Sequence, residues 1–320
     1  MSPRAAGDRP LPAVATEVLA GIYQHRLLST SQLHALYTPN ARPRWTRTVL
    51  ALLADRGLVD RTQGPGRLSL WFLTEYGAET VETAGPRSET RRRLVGIAQA
   101  EGPLRKHTLR VNDVGIAFVQ SAREHGDECG PESWWHEVAH PMSLARGRRP
   151  PELAIADALL SYLQTGGDGS LRLHQRWIEL DRGTARPAEH LAAKISAYTR
   201  LRYFAPPAGS ADQSPEPLWR SHYRAWPHLL IVLADQSRER MRQRIQRTLV
   251  LHQSDPAHRG ASPIPLAFVA LEDLTSRGPF APIFTSAEHP GQPVDWLGEP
   301  QAKDRGSSCN AGQTAPANGK

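Results

Sequence analysis

The feature that most constrains the fold is a succession of four helical patterns and one hairpin pattern between Val14 and Thr83. Apolar residues recur at helical spacing in three segments, and Ser29 or Thr30 offers an N-cap for the second segment. The short runs LVDRT and LSLWFLT then flank the turn QGPGR, a pattern typical of a β-hairpin. A fourth helical segment, Glu75 to Thr83, follows. This order predicts a small domain in which the helices and the hairpin share one core.

The same order is that of a winged helix-turn-helix domain, which we expect over residues 14–83. The distribution of charge points to a nucleic-acid partner. The chain has a formal net charge of +7, and residues 1–110 hold 16 Arg or Lys against 9 Asp or Glu. Because the rest of the chain is balanced, the excess lies in the first 110 residues, which include the predicted domain. The sequence therefore predicts binding of double-stranded DNA.

The start of the predicted recognition helix supplies five candidates for DNA contact: Arg42, Arg44, Trp45, Arg47 and Thr48. Arginine bonds guanine edges and phosphates, and threonine reaches phosphates or the thymine methyl group. The hairpin turn adds Arg67, and Arg61 is a further candidate for phosphate contact. The alternative is that the domain contacts protein or forms a dimer, with these arginines on a solvated face.

A change of composition over residues 84–106 predicts a linker, and a second domain is expected over residues 107–275. An amphipathic helix that ends at Gly126 opens this domain. Later segments with strand patterns are SWWHEVAH, LAIADALLSYL, LRLHQRWIEL, HLLIVLAD and PLAFVALED, with a helix before each of the last two. This indicates a mixed α/β domain with an antiparallel start and a crossover helix, so the whole chain belongs to the α+β class. Residues 290–320 are polar and are expected to be a disordered tail.

Three acidic residues at strand positions of the second domain are candidate catalytic residues and metal ligands: Asp157, Glu179 and Asp181. Glu179 and Asp181 are two residues apart on one strand and therefore project from the same face. In restriction-endonuclease-like, or PD-(D/E)xK-like, folds, such acids on neighbouring strands hold Mg²⁺, which prefers carboxylate oxygens and activates water. Glu137 is a fourth candidate acid. The alternative is that these acids are solvated or bonded to arginines such as Arg182.

Lys194 is a further candidate catalytic residue. It is the only lysine between Lys106 and Lys303, and it lies on the predicted crossover helix at the border of the apolar stripe. Nuclease centres of this type position the attacking water with a lysine two residues after the second acid, where this chain has Asp181. Either Lys194 replaces that lysine from the helix, or the centre is inactive. A third interpretation is that Lys194 covers apolar surface with its stem.

Other classes of function have no support in the sequence. Neither GxxxxGK[ST] nor GxGxxG occurs, which argues against nucleotide hydrolysis and dinucleotide binding. The two cysteines are far apart, and His136 and His140 lack a partner motif for zinc. The N-terminus lacks the apolar core of a signal peptide, and no apolar run has the length of a membrane span. We therefore expect a cytoplasmic protein.

Taken together, these patterns resemble the replication-relaxation family of actinobacterial plasmids and integrative elements over residues 14–275. The features that carry the resemblance are the winged helix, the helix LRVNDVGIAFVQSAR, the strand with Trp134, Trp135 and Glu137, the strand with Asp157 and Ala158, and the run WIELDRGTARPAEHLAAKISAY. Its most specific part is Glu179 to Thr184 followed by Lys194 to Tyr198. The chain departs from the family at Ala156, where proline often precedes the first acid. The resemblance implies a role in replication or transfer of a mobile element, including DNA relaxation.

The leading hypothesis is a DNA-binding accessory protein of plasmid or mobile-element replication or conjugative mobilisation, with a nuclease-like second domain. One alternative is a Mg²⁺-dependent nuclease or nickase that uses the acids as ligands and Lys194 to orient water. Another is a winged-helix transcriptional regulator whose α/β domain serves for assembly. The expected partners are double-stranded DNA and replication or mobilisation proteins. A homodimer is left open, and Mg²⁺ is the one cofactor considered.

Overall fold

The computed structural model describes residues 10–84, 100–102, 104–143, 150–183, 188–205, 216–255 and 264–299. Within these residues the chain forms a mixed α+β structure with one three-stranded and one seven-stranded sheet. No helix in the described part of the chain is both long and apolar enough to cross a membrane.

The first part of the chain, residues 13–84, is called the N-terminal module. Its elements are α1 (Ala13–His25), β1 (Leu28–Ser29), α2 (Thr30–Tyr37), α3 (Pro43–Asp55), β2 (Val59–Gln63), β3 (Ser69–Leu73) and α4 (Glu75–Ala84). The sheet is antiparallel with the order β1-β3-β2, and β1 is a strand that the sequence pattern does not predict. This is the arrangement of a winged helix, in which β2 and β3 form the wing.

Local contacts fix the ends of these elements. At the start of α2, Ser29 Oγ accepts the Gln32 N–H at 3.1 Å, and Gln32 Oε1 accepts the Ser29 N–H at 3.0 Å. This reciprocal capping box satisfies two backbone donors that would otherwise lack partners. At the other end of the module, a Cβ atom added to Gly77 would lie 1.9 Å from Leu58 O. Only glycine therefore allows α4 to approach the chain before the wing this closely.

The second part of the chain, residues 105–299, is called the C-terminal unit. Its elements are α5 (Arg105–His125), β4 (Trp134–Pro141), β5 (Leu153–Thr165), β6 (Leu171–Asp181), α6 (Ala188–Tyr203), β7 (His228–Leu233), α7 (Arg238–Ser254), β8 (Leu266–Ala270), α8 (Leu271–Arg277), β9 (Phe284–Ser286) and β10 (Pro293–Val294). The sheet has the order β10-β9-β8-β7-β6-β5-β4. Strands β4, β5 and β6 pair antiparallel, and β6, β7 and β8 pair parallel through the crossover helices α6 and α7.

The seven-stranded sheet separates two apolar cores. On β6, Ile178 and Leu180 pack with Phe118 of α5 on one face. Trp177, directly before Ile178 in the sequence, packs with Tyr198 of α6 on the other face. Since Glu179 alternates with Leu180, it points into the α6 side of the sheet.

The N-terminal module and the C-terminal unit are joined through α5. Their buried residues form one continuous apolar cluster, in which Leu50 of α3 and Phe118 of α5 both take part. Polar contacts reinforce it: Asn112 Nδ2 donates to Leu27 O at 2.9 Å, and Gln24 Nε2 donates to Trp134 O at 2.8 Å. The winged helix therefore packs directly against the C-terminal unit.

Two boundaries differ from those expected from the sequence. The predicted tail 290–320 packs at its start, because Val294 and Trp296 are buried in the core of the C-terminal unit. One tryptophan buries enough apolar surface to outweigh the polar composition around it. The predicted linker 84–106 contains Ala100, buried against the wing residue Phe72, and the first residues of α5. Residues 85–99 and 300–320 lie outside the described part of the chain.

Candidate functional sites

A groove runs between α3 and the wing, and we call it the α3–wing groove. It has a volume of about 740 Å³ and is lined by Arg47 of α3, by Arg61, Arg67 and Leu68 of the wing, and by Ser31 at the start of α2. Helix α3 begins at Pro43, whose fixed φ suits the first helical turn. The groove therefore has a helix on one side, a β-hairpin on the other, and arginine on both.

The other residues predicted to contact DNA lie on the exposed side of α3. Arg42, Arg44 and Thr48 are exposed, and Trp45 is half-exposed. Thr48 Oγ1 donates to Arg44 O at 3.1 Å, so its hydroxyl hydrogen is turned to the helix backbone and its methyl group remains outside. The arginines of the first two turns thus face solvent in one patch.

The position of α3 relative to α2 depends on a buried hydroxyl network that the sequence did not reveal. Thr38 Oγ1 and Thr46 Oγ1 are 2.6 Å apart, and His34 Nδ1 lies 2.9 Å from Thr46 Oγ1. The only signal in the sequence is that Thr46 falls on the apolar side of α3, next to Val49 and Leu50. The network holds the two helices of the helix-turn-helix at a fixed angle.

Asp157, Glu179 and Lys194 lie together on the α6 side of the sheet, and we call this group the acidic centre. Strands β5 and β6 pair only as far as Ala158 and Ile178, so Asp157 lies just beyond the ladder. Its Oδ2 accepts the Leu180 N–H at 2.8 Å in place of a backbone carbonyl. Asp157 is thereby fixed beside Glu179.

Helix α6 covers the acidic centre with two side chains one turn apart. Lys194 Nζ bonds Glu179 Oε2 and lies 3.7 Å from Asp157 Oδ1. Tyr198 donates its hydroxyl to Glu179 Oε1 at 2.6 Å. From α5, His107 Nε2 lies 3.4 Å from Asp157 Oδ1. All four carboxylate oxygens of Asp157 and Glu179 are therefore bonded within the protein.

Burial sets the protonation of the two acids. The Glu179 side chain is 2% exposed, and burial together with the charge of Asp157 raises its pKa to about 8. Burial also acts to raise the pKa of Asp157, but the hydrogen bond from His107 and the charge of Lys194 outweigh it and lower that pKa. The two carboxyl groups therefore differ in character, with Asp157 held ionised and Glu179 poised to take up a proton.

Asp181 does not join the acidic centre. It shares a strand face with Glu179 as expected, but its carboxylate bonds Arg244 of α7 and accepts the Gly183 N–H at 2.9 Å. For Asp181, the structure therefore has the alternative in which the acid is bonded to an arginine. Among the residues that the structure describes, no three His, Cys, Asp or Glu side chains are grouped to hold a metal ion.

Glu137, the fourth candidate acid, is directed away from the acidic centre. The register of β4 and β5 puts it opposite Asp157, yet its φ is +53° and its carboxylate bonds Arg26 of the N-terminal module at 2.8 Å. At the same level β5 is irregular, because Ala156 and Ala158 pack into different cores instead of sharing a face. This local twist turns Asp157 toward α6.

A second charged cluster lies at the end of β7 and was missed from the sequence. Asp235, with φ of +59°, bonds Arg182 at 2.9 Å, Lys106 at 3.0 Å and Arg110 at 3.2 Å. Lys106 and Arg110 come from α5, so the cluster ties the start of that helix to the sheet. The one signal in the sequence is an acid directly after the buried run HLLIVLA.

Comparison with known proteins bears on both regions. The replication-relaxation family model matches residues 19–212, which is more than half of the chain and includes α3, Asp157, Glu179 and Lys194. This chain belongs to the replication-relaxation family. The matched residues include the winged helix from residue 19 onward and the acidic centre.

Solved structures resemble only a small part of this replication-relaxation protein. A mutant of MarR from E. coli complexed with operator DNA is 25% identical, with a TM-score of 0.21, over 22% of this chain and 51% of that chain. A mutant of Lactococcus lactis ZitR is 16% identical, with a TM-score of 0.21, over 24% of this chain and 53% of that chain. The match spans about half the length of each of these two chains. No curated protein matches the chain.

Proposed function

We propose that this replication-relaxation protein binds double-stranded DNA through residues 14–83, as an accessory protein of plasmid or mobile-element replication or mobilisation. The observation that carries the proposal is the α3–wing groove, where Arg47 on the helix faces Arg61 and Arg67 on the wing. A recognition helix enters the major groove while neighbouring positive groups hold the phosphates. Arginine side chains on both walls of the groove suit that partner.

The conformation of the wing tip supports the same proposal. Gly66 and Arg67 both adopt left-handed backbone angles, with φ of +68° and +63°. An arginine in this region costs about 1–2 kcal/mol relative to ordinary backbone. Such strain is typical of positions kept for function, and here it presents a guanidinium at the end of the wing.

Replacement of Arg44 and Arg47 by alanine in the full chain tests DNA binding. We expect at least a tenfold loss of affinity for a duplex at about 0.1 M salt, because each phosphate contact contributes a salt-dependent factor through counterion release. The measurement is fluorescence anisotropy over a series of salt concentrations. Arg200→Ala is the matched control, since Arg200 is about half-exposed on α6, outside the groove. Unchanged affinity and salt slope in the double variant would make the module a protein-contact domain.

The second candidate function is that of a metal-dependent nuclease or nickase with a restriction-endonuclease-like C-terminal unit. It is favoured by the convergence of Asp157, Glu179 and Lys194 from two strands and a helix. The donor set does not fit Mg²⁺ in this arrangement, because each carboxylate oxygen is bonded and Asp181 is paired with Arg244. We therefore rank an accessory role above nuclease activity and assign no catalytic step to the metal.

Thermal denaturation with and without Mn²⁺ separates the two roles of the acidic centre. For an accessory protein we expect the same shift of the melting temperature in the wild type and in Asp157→Asn. A metal site would give a shift in the wild type alone, because only the native carboxylate pair would bind the ion and stabilise the fold by mass action. Nicking of supercoiled plasmid in Mg²⁺, lost in Lys194→Ala, would establish the nuclease.

A further inference from the structure

We infer that a duplex held in the α3–wing groove continues past the wing over the first turn of α5, so that its flanking backbone reaches the acidic centre. This inference rests on the proposed DNA binding and adds a second contact surface to it. The occupant of that surface is the phosphate backbone of the same duplex.

The first argument is continuity. A second cleft, of about 390 Å³, lies between the wing and α5, and we call it the α5 cleft. Ser31 and Leu68 line both the α3–wing groove and the α5 cleft, so the two openings meet at the start of α2 and the wing. A rod-like ligand that leaves the first opening on this side passes directly into the second.

The second argument is charge. The α5 cleft is lined by Arg105, Lys106 and Arg110 against the single acid Asp113. Lys106 bonds Asp235 at 3.0 Å and keeps 52% of its side chain exposed to solvent. In addition, α5 has no acidic residue in its first turn and no side-chain cap, and its backbone N–H groups add to the positive potential there.

The third argument is the direction in which α5 points. Lys106 faces the α5 cleft, and the next residue, His107, lies 3.4 Å from Asp157 in the acidic centre. The first turn of α5 thus connects the α5 cleft to the acidic centre. A DNA backbone that crosses this turn would lie next to Lys194, whose side chain is 32% exposed.

The test compares two duplex lengths with the full chain and the double variant Arg105→Gln, Lys106→Gln. A random-sequence duplex of about 12 bp spans little more than one helical turn, and we expect it to contact the α3–wing groove without the α5 cleft. A 30-bp duplex should extend beyond the wing; both lengths are chosen from a repeat of about 10 bp per turn. We expect the variant to lose about tenfold or more in affinity for the long duplex at about 0.1 M salt, with a salt slope shallower by about 2. For the short duplex we expect less than about a twofold loss.

Two controls distinguish this inference from the proposed DNA binding on which it rests. The single variant Lys106→Arg keeps the charge and leaves Arg105 intact, so it should bind the long duplex more tightly than the double variant does. Arg200→Gln should not change the affinity for either duplex. Equal losses on both lengths, or no loss on either, would overturn the track over α5 while leaving DNA binding intact. If the wild type bound neither duplex, the proposed function itself would fail.

Discussion

The N-terminal module and the C-terminal unit hold their charged residues in opposite ways. Arg44 and Arg47 of α3 are exposed, and water solvates them until a partner binds. Glu179 is buried and bonded by Lys194 and Tyr198, so its carboxyl group belongs to the interior of the fold. Substitution of an exposed arginine changes binding far more than folding, whereas substitution in a buried pair changes folding first. The comparison therefore predicts different responses of the two regions to mutation and to pH.

The largest expected effect is a pH dependence of stability that comes from Glu179. Its pKa is raised to about 8 in the folded chain, above the usual value of 4.5. Between these two values the folded state keeps a proton that the unfolded state releases, so stability falls as pH rises from about 4.5 to 8. Glu179→Gln cannot ionise and should lose this decline. The free energy of unfolding of the variant minus that of the wild type should therefore be a few kcal/mol larger at pH 8 than at pH 5.

Urea denaturation of both proteins at pH 5 and pH 8 measures this effect. Lys194 retains Asp157 as a partner at 3.7 Å, so the variant does not leave the lysine without a counter-ion. Glu239→Gln is the control, because Glu239 is an exposed acid on α7, and its pH profile should follow the wild type. If the free energy of unfolding of Glu179→Gln changed with pH as that of the wild type does, the raised pKa of the buried acid would be contradicted. The two regions would then not differ in their response to pH.

Most of the helices and strands could be predicted from the sequence because local patterns of residues determine them. The period of apolar residues located α3 and α5, and Ser29 and Gly126 marked helix ends through capping. Strand β1 has two residues and leaves too short a pattern to detect. The packed segment around Trp296 was not detected because its neighbours in the sequence are polar. Its ring is buried by distant partners such as Arg176, whose guanidinium lies 4.8 Å from the ring centroid.

The acidic centre was only partly predictable for the same reason. Asp157, Glu179 and Lys194 were selected as residue types that fit one chemistry, and the structure brings them together. The partners that decide their state come from far along the chain: His107 reaches Asp157 from α5, and Arg244 draws Asp181 away. Such pairings depend on three-dimensional packing, which no spacing along the sequence encodes.

The smallest expected effect concerns the wing, where binding and stability should oppose each other. Arg67 adopts φ of +63°, which costs an arginine about 1–2 kcal/mol, and glycine removes this cost while adding about 0.5–1 kcal/mol of chain entropy to the unfolded state. Arg67→Gly should therefore raise the free energy of unfolding by up to about 1 kcal/mol and weaken duplex binding severalfold. Arg67→Ala removes the same charge but keeps the left-handed strain, so it should weaken binding equally without gaining stability. Urea denaturation and anisotropy on both variants decide the matter. If the glycine variant bound DNA as well as the wild type, the wing tip would lie outside the interface, and its strained arginine would need a cause other than DNA.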